Sequence, residues 1–322
     1  MKAVRIHEFG GPEVLTYEDA PDPKPEAGQV LVRIKAASIN RGDLSMRAGH
    51  LGPLPLPLTI GWEVAGEIEA VGPGVEGLRP NMRVIAYGPN GGYAELCAYN
   101  ALNVHPIPDS LGFTDAASIP VVFITAWYAL IDRGAVKPGE TVLVHAAGSG
   151  VGVATIQLAK HLGAQVIATA GSQEKLERAR ELGADHVINY RDQDFGPMVM
   201  EITGGRGADV IVDVVGGEVF EKSVPVLAAG GRLCVIGNSS GQKATFDTGQ
   251  LIRGGRSILG IMTSVRFAPG GDRERLEGAL QLIEQSKMKP IVDKTFPLSQ
   301  AEEAHRYVAD RSNTGKVVLT VD

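Results

Sequence analysis

A chain of 322 residues that is 44% hydrophobic and 21% charged has material for two domains of ordinary core size, and its composition is that of a soluble globular protein. A formal charge of −6 argues against a nucleic-acid-binding surface, and two cysteines, Cys97 and Cys234, make neither a disulfide framework nor a cysteine-built metal site. The opening MKAVRIHEFG lacks the apolar core of a signal peptide, and the apolar run 119–131 is too short for a bilayer and contains Pro120, so the expectation is a cytoplasmic protein with no membrane or nucleic-acid partner.

Residues 1–110 read as strand and turn. The segments 29–38, 63–74, 83–87, 92–99 and 102–107 are strand-like, with a turn at GPNGG (88–92) and an extended loop at LGPLPLPLTIG (51–61). Both cysteines are expected to be small buried hydrophobes. Beyond Asp109, residues 114–131 are predicted as a buried helix with Pro120 inside it, left through KPGE (137–140). A regular alternation then begins. Strands at 141–146, 165–170, 186–190, 209–216 and 232–237 alternate with helices at 151–163, 173–183, 194–203 and 219–231. That order implies right-handed βαβ crossovers and a parallel sheet. An amphipathic helix (273–285), a short helix (301–309) and a strand (316–321) follow. The fold class is α/β: a Rossmann-type doubly wound parallel sheet joined to a β-rich domain.

The first strand of the alternation runs into a glycine-rich turn, TVLVHAAGSGVG (141–152), and then a helix. Glycines there let the backbone turn sharply, and the helix N-terminus offers free N–H groups and a dipole to a pyrophosphate. Gly148, Ser149, Gly150, Val151 and Gly152 are therefore candidate cofactor contacts, with Ser149 standing where a strict motif has its middle glycine. An NAD-preferring site places an acid at the end of the second strand. Here the segment is Ala168-Thr169-Ala170-Gly171-Ser172, followed by Lys175. Without a carboxylate to repel a 2′-phosphate, and with a cation beside it, NADPH is favoured. Two plainer roles stay open: Ser172 as a helix N-cap and Lys175 as a solvated surface residue.

The segments GGPEVL (10–15), SINRGD (38–43), GWEVAGEIEAVGPGV (61–75), HAAGSGVG (145–152), HVINYRDQDF (186–195), IGNSSG (236–241) and GKVVL (315–319) together resemble the medium-chain dehydrogenase/reductase superfamily, in its zinc-free quinone oxidoreductase (zeta-crystallin-like) branch. The resemblance implies a GroES-like catalytic domain from residues 1–122 with 261–322, a nucleotide domain from 123–260, a cofactor between them, and a homodimer through the nucleotide domain. It places Lys175, Tyr190, Gly171 and Ser172 at the adenosine 2′-phosphate end. It sets Asn238, Ser239 and Ser240 near the nicotinamide, Thr125 against the cofactor, and Asn40 in the active site.

Zinc-dependent relatives would carry a cysteine at Asn40 and a histidine at Trp62. Asn40 is a poor zinc ligand and Trp62 is none, so no metal is expected. His105, His145 and His161 are read as strand or helix surface residues. Without a Lewis acid, reduction of an activated acceptor, a quinone or α,β-unsaturated carbonyl, remains feasible through proximity and a hydrogen-bond donor. Asn40 is the candidate donor, or alternatively a turn-capping amide, and Asp43 the residue that organises its loop. Leu44-Ser45-Met46 follow where relatives have a tyrosine, which predicts a wider pocket; Trp62, Tyr87 and Tyr93 are either its aromatic walls or core. The competing readings are an enoyl-thioester reductase and a non-catalytic NADPH-binding structural or sensor protein.

Overall fold

The β-branched and aliphatic run QVLVRIKAASI favours an extended backbone and forms a strand of 11 residues, Gln29–Ile39. The computed structural model describes residues 1–263 and 268–321. They fall into two compact units: one of residues 1–121, 268–277 and 290–321, the other of 122–263 and 278–289.

The first unit holds β1 (Lys2–Ile6), β2 (Thr16–Asp19), β3 (Gln29–Ile39), α1 (Arg41–Arg47), β4 (Leu58–Thr59), β5 (Glu63–Val71), β6 (Arg83–Tyr87), β7 (Leu96–Asn100), β8 (Val104–Pro106) and α2 (Phe113–Ala117). After α3 (Pro120–Trp127) the second unit runs through β9 (Thr141–Val144), α4 (Gly150–His161), β10 (Gln165–Ala170), α5 (Gln173–Glu181), β11 (His186–Asn189) and α6 (Phe195–Ile202). It continues with β12 (Ala208–Asp213), α7 (Glu218–Ser223), β13 (Leu227–Val235), α8 (Gly249–Gly254) and β14 (Ser257–Gly260). Helix α9 (Arg273–Glu284) precedes β15 (Val292–Pro297), α10 (Ala301–Ala309) and β16 (Lys316–Thr320).

In the first unit β3 is the hub. Strand β5 pairs along one edge, while β7 and β16 share the other, all antiparallel. The full sheet runs β15-β16-β3-β5-β6-β8, with a small sheet β2-β1-β4 beside it in the chain's first unit. Two registers place a buried polar cluster. Ile39 lies opposite Val317, and Ser38 lies opposite Glu63. Residues 40, 63 and 316 are thereby delivered to one corner. The core beneath includes Val32, Ile34, Ile60, Val64, Val84 and Leu319.

The second unit is a six-stranded sheet, β11-β10-β9-β12-β13-β14, parallel throughout. Strand order reverses between β9 and β12, and sheets of this kind bind ligands at the carboxyl ends of the strands at that point. Leu143, Ile167, Ile188, Ile211 and Leu233 fill its core. Burying each such side chain contributes about 1.5–3 kcal/mol.

Three expectations need correction. The helix expected over 219–231 stops at Ser223, and its second half is the start of β13. Pro225 cannot continue a helix, since its ring meets the carbonyl four residues back, and Gly230-Gly231 are poor helix formers. The single helix over 114–131 is α2, α3 and a π-helical turn at Tyr128–Arg133; Pro120 opens α3, where its missing N–H costs nothing. His105 and His145 are buried rather than on strand surfaces. Cys234 is buried and Cys97 partly so.

Candidate active site

The turn from β9 to α4 is built by its small residues. Ala146 adopts φ 51° as the chain leaves the strand. Ser149 is the N-cap of α4, its Oγ accepting from the Gly152 N–H at 3.0 Å, so the hydroxyl satisfies a helix donor. A Cβ on Gly152 would collide with the Ala146 carbonyl and the Ala147 backbone, which explains glycine where helix and turn approach most closely. The N-terminus of α4, with Gly150 and Val151 in its first turn, thus has N–H groups to offer an anion.

Strand β10 ends without an acid. Ser172 caps α5, its Oγ accepting from the Lys175 N–H at 3.4 Å. The Lys175 stem lies across Gly148, where a Cβ would come within 2.7 Å of Cδ. Tyr190 lies over Gly171, where a Cβ would come within 2.5 Å of the hydroxyl and 3.0 Å of the Arg191 Nε. Gly148, Gly171, Ser172, Lys175 and Tyr190 therefore gather at the ends of β9, β10 and β11. Arg191 joins them and was not foreseen. Its only signal was a second cation directly after Tyr190.

On the other side of the sheet's switch point, Asp213 ends β12 and its Oδ1 accepts from the N–H groups of Val215 and Gly216 at 2.7 and 3.0 Å. Gly216 and Gly217 take φ of 71° and 56°. Asn238 and Ser240 pack over them: a Cβ on Gly216 would lie 2.5 Å from the Asn238 Oδ1, and one on Gly217 2.8 Å from the Ser240 Oγ. The Ser239 N–H donates to the Val214 carbonyl at 3.2 Å. The loop of 238–240 is thus locked to the end of β12. Thr125 is buried on α3, apart from these residues in sequence. His145 braces the base of the turn, bonded at Nδ1 to the Thr169 hydroxyl (3.0 Å) and at Nε2 to the Ser223 hydroxyl (2.9 Å), and burial lowers its pKa to about 4.

In the first unit, Asn40 is the N-cap of α1, and Asp43 Oδ2 accepts from the Asn40 backbone N–H at 2.7 Å. The Asn40 amide Nδ2 donates to Glu63 Oε1 at 2.9 Å, while Lys316 Nζ donates to Asn40 Oδ1 at 2.7 Å and to the Ile39 carbonyl at 2.8 Å. Lys316 also pairs with Glu63 Oε1 at 2.9 Å, and Glu63 Oε2 accepts from the Val121 N–H at 2.7 Å, at the start of α3. Asn40, Glu63 and Lys316 are all buried, as is Asp43. Burial pushes the Asp43 carboxyl up to about 7, against the opposing pull of the Asn40 N–H and the Lys316 ammonium.

A second buried series stands behind them. Arg47 Nη1 lies 3.1 Å from His305 Nδ1, and His305 Nε2 lies 3.0 Å from the Tyr93 hydroxyl. An arginine only donates, so Nδ1 accepts and Nε2 carries the proton. Burial and Arg47 hold His305 neutral, with a pKa near 3, and burial raises Tyr93 well above the ordinary phenol range. Tyr93 and Tyr87 are core residues, not pocket walls, and Tyr87 stacks on His105 at 5.9 Å. Leu44 and Met46 also face the core. Trp62 is half-buried against Gly42 of α1.

Residues 26–109 match the model of the alcohol dehydrogenase GroES-like domain, and residues 150–285 match that of the zinc-binding dehydrogenases. The chain is 36% identical over 327 residues to a 2-haloacrylate reductase from Burkholderia sp, covering 98% of each. It is 34% identical over 325 residues to the quinone oxidoreductase of Rattus norvegicus, covering 99% of this chain and 97% of the relative. Among solved structures, an NAD-dependent alcohol dehydrogenase superposes with a TM-score of 0.93 at 41% identity, over 100% of both chains. The Escherichia coli quinone oxidoreductase in complex with NADPH gives 0.93 at 31% identity, over 99% of this chain and 100% of that one.

A zinc ion, as one of these descriptions implies, does not suit the corner around Asn40. The Asn40 carbonyl already accepts from an ammonium, Trp62 offers no lone pair, and Lys316 stands 2.9 Å from the Glu63 carboxylate that accepts from the Asn40 amide, where it would repel a dication. Among the described residues no group of three or more His, Cys, Asp or Glu could hold a metal. Split sheet, switch-point cradle and end-to-end likeness agree: the chain belongs to the medium-chain dehydrogenase/reductase superfamily, in its quinone oxidoreductase (zeta-crystallin-like) branch.

Proposed function

We propose that this oxidoreductase is metal-independent and uses NADPH to reduce a conjugated acceptor, a quinone or an α,β-unsaturated carbonyl. The observation that carries the reading is Asn40, held between Lys316 and Glu63 at the position where a metal-dependent relative keeps a ligand. An amide donor stabilises a developing enolate or hydroquinone oxygen without lowering an alcohol's pKa as a metal does, which favours acceptors that are already activated. The names of the two relatives, a 2-haloacrylate reductase and a quinone oxidoreductase, share this chemistry: a carbon–carbon double bond conjugated to a carbonyl.

Bound NADPH supplies the hydride. The chain's part is to bind, orient and donate. The α4 N-terminus, capped by Ser149, fits a pyrophosphate; Lys175, Ser172, Tyr190 and Arg191 fit a 2′-phosphate; and the loop of Asn238, Ser239 and Ser240, with Thr125, fits the nicotinamide half. Asp43 positions Asn40 through its backbone N–H. A panel of quinones, enones and 2-haloacrylates, each with NADPH and NADH, tests the reading. NADPH consumption with conjugated acceptors, reduced about 100-fold in Asn40→Ala, is the expected result. Tight NADPH binding without turnover on any of them refutes it.

We also propose that the chain works as a homodimer. Strand β14 is the outer strand of the six-stranded sheet, and Ile252 and Met262 close to it in sequence are 81% and 64% exposed. A second copy of the chain at this edge would cover both and pair the open strand. Sedimentation of the natural chain and of Ile252→Glu/Met262→Glu distinguishes dimer from monomer. No helix among the described residues is long and apolar enough to cross a membrane.

A further inference from the structure

A buried ion pair is poor insurance for stability, because replacing it with apolar residues is often neutral or better. Lys316 is therefore an unexpected occupant of β16. Its neighbours Val317, Val318 and Leu319 are buried and apolar, and the strand is already joined to β3 by backbone pairing. Lys316 is 4% exposed, and its ammonium has three hydrogens for three acceptors: the Ile39 carbonyl, Asn40 Oδ1 and Glu63 Oε1. Nothing in that set is left for solvent.

The two charges flanking Asn40 decide which way its amide points. An ammonium only donates and a carboxylate only accepts, so the carbonyl must face Lys316 and the NH2 must face Glu63. The flipped amide would set a donor against Lys316 and an acceptor against Glu63. One of the two amide hydrogens goes to Glu63. The other is then fixed in direction by the plane of the group.

We propose that Lys316 is a positioning residue: with Glu63 it locks the Asn40 side chain in one orientation, so that its second N–H is a preorganised donor to the oxygen of a conjugated carbonyl substrate. The inference rests on the role of Asn40 proposed above. A donor that need not reorient as charge develops is worth more than one that must, which is why preorganisation lowers barriers rather than only tightening binding. The same ammonium occupies the corner with positive charge of its own and so keeps a dication from settling on Glu63.

The test uses the whole chain and removes both charges together, since Lys316→Met alone leaves the Glu63 carboxylate buried and uncompensated. In Lys316→Met/Glu63→Gln the amide of residue 63 can meet either face of Asn40, and the orientation is no longer imposed. Quinone reduction with NADPH is measured for the natural chain, Asn40→Ala, the double variant and the triple variant. The expected results are a kcat about 100-fold lower for Asn40→Ala, at least about 10-fold lower for the double variant with NADPH affinity and melting temperature nearly unchanged, and a triple variant no worse than Asn40→Ala. Non-additivity identifies a residue acting through Asn40; a merely structural role gives losses that multiply. A double variant that keeps its kcat within about twofold, or a triple variant in which the two losses multiply, overturns the positioning role while leaving the reductase reading intact.

A second readout does not need turnover. The Asn40 side-chain amide protons, followed by NMR, should exchange with solvent far more slowly than those of exposed Asn81 and lose that protection in the double variant. Exchange as fast as at Asn81 in the natural chain overturns the lock. Absence of turnover on the whole acceptor panel refutes the reductase reading instead.

Discussion

Lys175 is the residue through which cofactor preference can be measured in one number. Its stem rests on Gly148, and Ser172 caps the helix turn that carries it. Tyr190 and Arg191 lie over Gly171 at the end of the neighbouring strand. A charge-assisted contact to a phosphate contributes about 1.5–3 kcal/mol, and a half-buried lysine beside solvent belongs at the lower end. Lys175→Ala should then weaken NADPH by about tenfold, which is about 1.4 kcal/mol, and change NADH by less than twofold. Lys175→Ala/Arg191→Ala should lose less than the product of the two single effects, as two cations proposed to serve one phosphate would. Ser172→Asp is the complementary change: aspartate caps α5 as well as serine does, but sets a negative charge where the 2′-phosphate would lie. It should turn the preference toward NADH. Isothermal titration of each variant with both dinucleotides gives the ratios, and raising the salt should shrink the NADPH advantage. Equal loss of both dinucleotides in Lys175→Ala, or no loss of either, would refute the assignment and leave Lys175 a surface residue.

Other perturbations reach the remaining parts of the site. Gly152→Ala drives a methyl into the backbone of Ala146 and Ala147, and should cost about 1–3 kcal/mol in denaturant unfolding together with most of the dinucleotide affinity. Lys316→Met should destabilise by about 3–5 kcal/mol because it strands Glu63, and Glu63→Gln in the same chain should restore most of that loss. Asp43 carries a pKa raised from 3.8 to about 7, so the folded chain binds more protons than the unfolded one between those values. Its contribution to stability is fully present below pH 4, declines as pH rises toward 7 and is level above that. Melting temperatures of the natural chain and Asp43→Asn across this range should diverge with that slope; parallel curves would show that Asp43 does not titrate there.

Much of this was legible in the residue order. The βα alternation, the cradle and the missing acid at the end of β10 are local signals: periodicity, glycine placement and one absent side chain. Ser149, which looks like a flaw in the glycine motif, is a helix cap, and a cap is also a local feature. What escaped was non-local. Pro225 gave fair warning that the helix after β12 would be short, yet the apolar run through Leu227 and Ala228 read as helix because a buried strand and a buried helix share that composition. Tyr93 could not be assigned to the core without knowing that His305 would stand 3.0 Å from it. Lys316 was invisible as a site residue, since only the register of β16 against β3 sets it beside Asn40.

That pairing has a consequence for synthesis. Asn40 and Lys316 are separated by 276 residues, so the partner of the amide leaves the ribosome long after the amide itself. At about 5–20 residues per second the interval is roughly 15–60 s, during which β3 lacks one of its neighbours and Glu63 lacks its cation. A nascent chain stalled before Lys316 therefore carries an open strand edge, which is a template for mispairing, and in what will become its core a carboxylate whose burial without its cation is costly. Only a translation product that reaches β16 closes that corner.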